Sequence, residues 1–518
     1  MRYFNVAGPC NKAKHYMIEA ATRLSGVERL IDMEQYFVIH AARQSGKTTY
    51  LKDLAQRLNA SGNYYALYCS LEAAQGVNDP SSGIPAVVRG IKSSLKYSAL
   101  PSKGGFAADG DYEDFTNVLK DSLTEYCKQL DKPLVILFDE ADCLSEGTLI
   151  TFLRQLRDGY VNRAGRPFVH SLALVGMRNI RDFKARVRPD SDTLGSASLF
   201  NIVTKSLTLK NFTADEIHAL YKQHTDETGQ FFEAGAIELV HEQTQGQPWL
   251  VNAIAREVIE EQLVGNYALA ITPGMAEKAI LKLIMRRDTH IDSLLERLKE
   301  ERVRKVIEPI IMGEDVADRL SDDYRYVKDL GLISDTDRKL SPANPIYAEV
   351  IARTLTYNVQ ATLAEDGDLH QLPRYIKNGR IDMDFLMRDF QQFWRENSGI
   401  WLERFDYKEA APHMILMAFL QRVINGGGQI IREMAAGRGR LDLCVVYKGE
   451  KYPVEIKILR GEKTRTQGVE QTLRYMDVYG AAVGWLAIFD RDPGKSWDEK
   501  IFMEKESVGD KTVTIVGL

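Results

Sequence analysis

The chain has 518 residues, 44% of them hydrophobic and 27% charged, and a net charge of −5. That length holds several domains, and a pI near 6.1 excludes nucleic-acid binding through bulk charge, leaving only local basic faces. Five scattered cysteines (Cys10, Cys69, Cys127, Cys143, Cys444) have no C-x-x-C spacing, which argues against a zinc or disulfide framework and suits a reducing compartment.

Taken from the N-terminus, MRYFNVAGPC has no apolar core of a secretory signal, and no later run approaches the roughly 18 apolar residues of a membrane span. The expectation is a cytoplasmic protein with no membrane partner. The first strong element is Tyr36–His40, a short apolar run predicted as a buried strand. It leads into Ala41-Ala-Arg-Gln-Ser-Gly-Lys-Thr48, and the residues from Thr49 onward have helical periodicity. A strand, a small-residue loop and a helix N-terminus form a phosphate cradle. Backbone amides and the helix dipole face an anion, Lys47 neutralises β- and γ-phosphates, and the Thr48 hydroxyl can ligate Mg2+. Arg43, Gln44, Ser45, Gly46 and Thr49 complete the candidate nucleotide-binding set. Ala41 stands where the motif has its first glycine, which is tolerable if its φ stays negative. The alternative is a chance Gly-Lys-Thr at a helix start.

Tyr64–Cys69 is predicted as a second strand, and Pro133–Asp142 as a continuous apolar strand ending in acidic residues. Following a phosphate loop, Asp139 would hold the Mg2+ shell, and Glu140 would orient or deprotonate an attacking water. Ser171–Gly176 is predicted as another strand of the same sheet. Arg157 and Arg163 are candidate trans-acting arginines, with exposed salt bridges as the stronger alternative.

The motifs ARQSGKT and LVILFDEAD, with Thr244-Gln-Gly-Gln-Pro-Trp-Leu250, resemble AAA+-like ATPases of the STAND and archaeal-ATPase branch over roughly residues 1–360. The resemblance implies ATP with Mg2+ as ligand, lid helices at about 212–285 closing over the nucleotide, and an adenine contact near His15-Tyr16. It also implies a γ-phosphate sensor after the Ser171–Gly176 strand, at Arg178 or Asn179, where a solvated loop is an equal alternative. Gln247 stands beside Gly246 where the branch commonly has a second glycine.

Residues 300–356 read as helical pieces followed by Tyr324–Ile333, a polar turn and Lys339–Pro342, the outline of a winged helix. Its helix carries Arg325 and Lys328, which suit phosphate contacts, and a regulatory or protein-binding wing is the alternative. A polar helical stretch follows, and Met414–Leu420 is predicted on a helix. Arg440–Tyr447 and Tyr452–Ile458 are predicted as a hairpin turning over Lys448-Gly-Glu-Lys451. On the returning strand Glu455 and Lys457 point to one face, and the hairpin brings Asp442 alongside. Two carboxylates beside a lysine bind a divalent cation and polarise water for attack on phosphate. A solvated Glu/Lys face is the alternative.

The pattern D-x12-E-x-K, with Arg440 and the Gln471-Thr-Leu-Arg-Tyr475 helix, resembles the PD-(D/E)XK nucleases of the RecB-like branch over about residues 400–518. Leu441 replaces the usual proline. The resemblance implies catalytic roles for Asp442, Glu455, Lys457, Gln471 and Tyr475, and Mg2+ or Mn2+ at Asp442 and Glu455. It adds an upstream carboxylate, Glu409, with His413 as runner-up.

The expected fold is α/β: a P-loop NTPase core with a parallel sheet (1–211), a helical lid (212–290), a winged helix (291–360), a helical linker (361–400) and a PD-(D/E)XK nuclease-like domain (401–518). The expected function is an ATPase whose nucleotide state regulates a metal-dependent nuclease acting on DNA, in foreign-DNA defence or mobile-element biology, with possible homo-oligomerisation. The alternative is a nucleotide-switched STAND-type signalling or scaffold protein with an inactive nuclease fold. A DNA-translocating motor ranks last, since helicase motifs are not recognisable.

Overall fold

The computed structural model describes the chain apart from residues 20–22, 102–105, 107–113, 178–201, 287–288, 312–315, 317, 337–338, 366–371, 405–410, 425–427 and 432–442. Its contacts divide into two units, Met1–Arg286 with Lys328–Gly331, and Arg287–Val327 with Leu332–Leu518.

In the first unit, helix α1 (Val27–Asp32) precedes strand β1 (Tyr36–His40), and helix α2 (Lys47–Ser61) leads to β2 (Tyr65–Ser70). Helices α3 (Pro80–Lys96) and α4 (Val118–Lys128) lead to β3 (Leu134–Asp139), α5 (Glu146–Asn162), β4 (Ser171–Gly176) and β5 (Val203–Thr208). The strands form one parallel sheet in the order β2-β3-β4-β1-β5. Alternate residues feed two cores. Tyr36, Val38, Ile136 and Leu172 pack with α3, α4 and α5, whereas Phe37, Ile39, Leu137 and Val175 pack with α1 and α2. Covering both faces is why β1, β3 and β4 read as unbroken apolar runs. Strand β5 does not read that way: its sequence VTKSLT is polar, it sits at the sheet edge, and only Leu207 is buried.

After β5, a capping box, Thr213 with Glu216, starts α6 (Ala214–Thr228). Helices α7 (Ala234–Thr244), α8 (Pro248–Arg256) and α9 (Pro273–Arg286) follow, α8 running on into a π-helical turn over Glu257–Gln262. There the buried Glu257 carboxylate is matched by Lys282 at 2.9 Å and Arg286 at 3.1 Å.

In the second unit, α10 (Thr289–Arg297), α11 (Glu301–Ile311) and α12 (Asp322–Asp329, its last two residues counted with the first unit) precede the antiparallel pair β6 (Ile333–Thr336) and β7 (Lys339–Pro342), then α13 (Pro345–Glu365). A short hairpin, β8 (Ile376–Lys377) and β9 (Arg380–Ile381), leads to α14 (Met383–Arg404) and α15 (Ala411–Ile424). The remainder is a six-stranded mixed sheet of β10 (Gly428–Ile431), β11 (Leu443–Tyr447), β12 (Glu450–Ile458), β13 (Val483–Phe489), β14 (Met503–Val508) and β15 (Lys511–Gly517), in the order β10-β11-β12-β13-β15-β14. Helix α16 (Lys463–Tyr479) crosses between the parallel strands β12 and β13. Phe390, Trp394, Phe419, Val454, Ile456 and Phe489 share one core, so α14 and α15 cover a single face of the sheet. Among the described residues no helix is long and apolar enough to cross a membrane.

Candidate functional site

Strand β1 delivers the chain to the cradle. Ala41 donates its N–H to the Gly176 carbonyl at 3.3 Å and keeps a negative φ, so alanine fits where glycine was expected. Two residues then turn left-handed, Gln44 at φ 55° and Gly46 at φ 91°. Left-handed residues on either side of Ser45 turn the chain tightly ahead of α2, the kind of backbone that can present N–H groups to an anion at a helix N-terminus. Ser45 Oγ and Gln44 Oε1 are buried there without a hydrogen-bond partner among the described residues. The Ser45 hydroxyl and the loop's N–H groups are donors that a phosphate group fits, whereas Gln44 Oε1 only accepts.

Lys47 is 7% exposed and its ammonium donates to the Ala41 and Ala42 carbonyls, both at 2.9 Å. Burial pushes its pKa down, and Glu140, Asp142 and Asp139 oppose that shift. The Thr48 hydroxyl donates to Asp139 Oδ2 at 2.7 Å, joining the helix start to the end of β3. Asp139 is buried, and its other oxygen accepts the Glu140 N–H at 3.0 Å. Thr48 and Asp139 are thus the residues that would hold Mg2+, which supplies positive charge against the β- and γ-phosphates. Glu140 adopts φ 54°, which turns the chain sharply after the strand. Its pKa is raised, first by desolvation and then by Asp139, Asp142 and Glu72, with Lys47 opposing.

Two residues here carried no distinct signal in the sequence. The Tyr68 hydroxyl donates to Asp139 Oδ2 at 3.0 Å, from the neighbouring strand β2. Tyr68→Phe is expected to remove about 1.5 kcal/mol of support from that carboxylate, seen as a roughly tenfold rise in the Mg2+ concentration needed for half-maximal ATP turnover. Unchanged Mg2+ dependence would remove Tyr68 from the site. Asp142 accepts the Met177 N–H at 3.1 Å, and a Cβ on Gly176 would lie 2.4 Å from its Oδ1. Asp142 therefore anchors the chain leaving β4. Arg178 and Asn179, the expected sensors, lie outside the described residues. Arg163 pairs with Glu34 at 3.3 Å and lies over the Tyr160 ring, the salt-bridge role set against a trans-acting one.

The turn between α7 and α8 meets the cradle within the same unit. Gly246 sits at φ 71°, and a Cβ there would come within 1.8 Å of the Phe212 carbonyl oxygen. Only glycine fits this turn. Gly246→Ala is expected to cost at least about 2 kcal/mol, combining backbone strain with a backbone clash, and to lower the melting temperature. Gln247 caps α8 by accepting the Leu250 N–H at 2.6 Å, and its Nε2 lies 3.5 Å from the Gln44 carbonyl of the phosphate loop. His15 and Tyr16 are both buried in packing of the N-terminal segment. His15 Nδ1 accepts the Asn11 N–H at 2.9 Å, and the Tyr16 hydroxyl lies 3.3 Å from His224 Nδ1 on α6. In the same segment the Cys10 N–H donates to Thr49 Oγ1 at 3.0 Å.

In the second unit, Lys448 (φ 49°) and Gly449 (φ 82°) form the two-residue turn joining β11 to β12. Val454 and Ile456 register with Trp485 and Ala487 in the core covered by α14 and α15. Glu455 and Lys457 register with Leu486 and Ile488, which pack on Val469 and Met476 of α16. Side chains in register share a face, so Glu455 and Lys457 face α16. Glu455 is 0% exposed, and Lys457 Nζ donates to its Oε1 at 2.5 Å. On α16, Tyr475 packs against Cys444 of β11, and Gln471 Oε1, one turn earlier, is buried without a hydrogen-bond partner among the described residues. Glu409, Arg440 and Asp442 lie outside the described residues, and His413 is partly buried on α15. Among the described residues no three His, Cys, Asp or Glu side chains gather as a cation site.

Residues 31–183 match the family model described as "AAA domain". No curated protein matches the chain. Among solved structures, the chain is similar to the Walker-type ATPase PABY2304 of Pyrococcus abyssi, with 14% identity, 67% of this chain and 99% of that one covered, and a TM-score of 0.49. It is similar to the RuvB Holliday junction branch migration motor of Thermotoga maritima, with 15% identity, 62% and 89% covered, and a TM-score of 0.32. It is also similar to Cdc6p from Pyrobaculum aerophilum, with 15% identity, 62% and 88% covered, and a TM-score of 0.34.

Proposed function

With an AAA-type P-loop ATPase domain as the premise, we propose that its nucleotide state regulates a divalent-metal-dependent nuclease centre in residues 401–518 that cuts DNA. What carries the reading is Glu455, a fully buried carboxylate paired with Lys457 on one strand and facing the Gln471–Tyr475 helix. A carboxylate is rarely left in such a place unless it has chemistry to do or a paired charge to hold. Asp442 and Glu455, with Glu409, would hold Mg2+ or Mn2+. The cation would acidify a bound water and neutralise the attacked phosphate. Lys457 would stabilise the developing charge, with Gln471 and Tyr475 orienting the reacting groups. Residues 291–360 serve as a winged helix in this reading, with Arg325 and Lys328 toward phosphates. Foreign-DNA defence is the biological setting proposed, with the ATPase acting as a homo-oligomer in the cytoplasm.

The test is a cleavage assay on linear, circular and single-stranded DNA, with and without ATP and with Mg2+ or Mn2+. Metal-dependent cutting that Asp442→Ala abolishes, with ATP binding retained, supports the reading. Cutting by Asp442→Ala at the wild-type rate overturns the site. A second reading draws on the same ion pair: Lys457 at 2.5 Å already neutralises Glu455, as an inactive fold kept for binding would require. That reading expects no cleavage with any metal, and an oligomeric state that differs between ADP and a non-hydrolysable ATP analogue.

A further inference from the structure

We propose that Arg23 is a strut tying the phosphate loop to the base of the lid, so that the position of the lid sets nucleotide affinity; this rests on the reading of the cradle as an ATP site. Arg23 Nη2 donates to the Ser45 carbonyl at 3.0 Å and also to the Lys210 carbonyl. Its guanidinium carbon lies 4.8 Å over the Phe212 ring. A Cβ on Gly46 would lie 3.2 Å from Nη1, so the group sits directly behind the loop. Arg23 Nε has no hydrogen-bond partner among the described residues. Burial lowers the pKa of Arg23 to about 10, with Glu216 opposing.

A planar trans peptide links the two halves of this geometry. The Ser45 carbonyl and the Gly46 N–H belong to one peptide unit and point in opposite directions. A donor holding that carbonyl from behind therefore turns the Gly46 N–H into the cradle. Gln247 stands in the same relation to the Gln44 carbonyl, and thereby to the Ser45 N–H. Arg23 differs in having a second anchor on the segment that begins the lid. Lys210 and Phe212 follow β5, and the Phe212 N–H donates to the Gly246 carbonyl of the lid turn at 2.8 Å. Movement of the lid pulls on Phe212, Phe212 carries the guanidinium, and the guanidinium turns an amide that faces phosphate. Arg23 is a positioning residue that touches the loop rather than the nucleotide.

The test uses the full chain, with equilibrium binding of ADP and ATP and steady-state turnover. Arg23→Ala is expected to weaken nucleotide binding about tenfold and to raise KM in step, with kcat within about threefold of wild type. Arg23→Lys keeps the charge but loses the planar guanidinium that stacks on Phe212, and should recover only part of the affinity. Phe212→Leu keeps Arg23 but removes its stacking face, and should weaken binding by about threefold. The nucleotide-free melting temperature is recorded for each variant. Wild-type affinity in Arg23→Ala overturns the strut, as does an affinity loss that merely tracks a lower nucleotide-free melting temperature. Lys47→Ala is measured alongside: if it binds nucleotide as wild type does, the cradle reading itself falls, whatever Arg23 does.

Discussion

Glu140→Gln is expected to lower ATP turnover by about 10²–10⁴-fold while changing nucleotide Kd by less than about threefold. Glutamine keeps the shape of the side chain but cannot accept a proton, so only the step that needs a base is lost. Glu140 is suited to that step: it directly follows Asp139, which the Thr48 hydroxyl holds at 2.7 Å. Desolvation raises its pKa, with neighbouring carboxylates adding to the shift and Lys47 opposing it. The sign for catalysis follows. A base must be ionised, and one with a raised pKa takes up its proton at a higher pH than an ordinary glutamate. The acidic limb of the kcat profile should therefore lie above the usual carboxylate range. The stability sign is opposite to that of a salt-bridged carboxylate. The folded form holds the proton more tightly than the unfolded chain, so ionised Glu140 costs stability, a cost that fades as pH falls through its raised pKa. A Glu140→Gln enzyme with near wild-type kcat would remove Glu140 as the base.

The parts of the ATPase unit legible in the sequence are those where one physical demand dominates. Strands β1, β3 and β4 are covered on both faces, so burial forces unbroken apolar runs. The phosphate loop needs a left-handed glycine at Gly46 and a buried cation at Lys47, and both stand in the sequence as such. Strand β5 left no such mark because an edge strand buries little, and VTKSLT could equally be a loop. Tyr68 and Arg23 were illegible for another reason. A tyrosine in a strand and an arginine near the N-terminus are ordinary residues, and only the fold brings one to Asp139 and the other to the Ser45 carbonyl. In the second unit the alternation of Val454, Glu455, Ile456 and Lys457 assigned the two faces of β12, since period-2 patterning is explicit wherever one face is wholly apolar.

The largest effect expected in the second unit comes from Lys457→Ala. Glu455 is 0% exposed and its Oε1 lies 2.5 Å from the Lys457 ammonium, whose side chain is 27% exposed. Removing the ammonium leaves a carboxylate buried beside the apolar face of α16, and breaking such a pair from one side costs about 3 kcal/mol. For a unit of this size that is a loss of roughly 6–12 °C in its melting transition. Glu455→Gln added to Lys457→Ala should return part of the loss, because a neutral amide is cheaper to bury than a carboxylate that has lost its ammonium. Both proposed functions share that much, and the divalent cation separates them. If Asp442 and Glu455 hold Mg2+ or Mn2+, millimolar Mn2+ should restabilise Lys457→Ala more than wild type, because a cation replaces the lost ammonium. DNA cleavage by Lys457→Ala should meanwhile fall by at least about 100-fold, the loss expected when a charge-stabilising group is removed. If the pair serves only to hold the fold, Mn2+ will leave the Lys457→Ala transition where it stands, and wild type will show no cleavage to lose. A Lys457→Ala protein that melts with wild type and cuts DNA at the wild-type rate would exclude Lys457 from both roles.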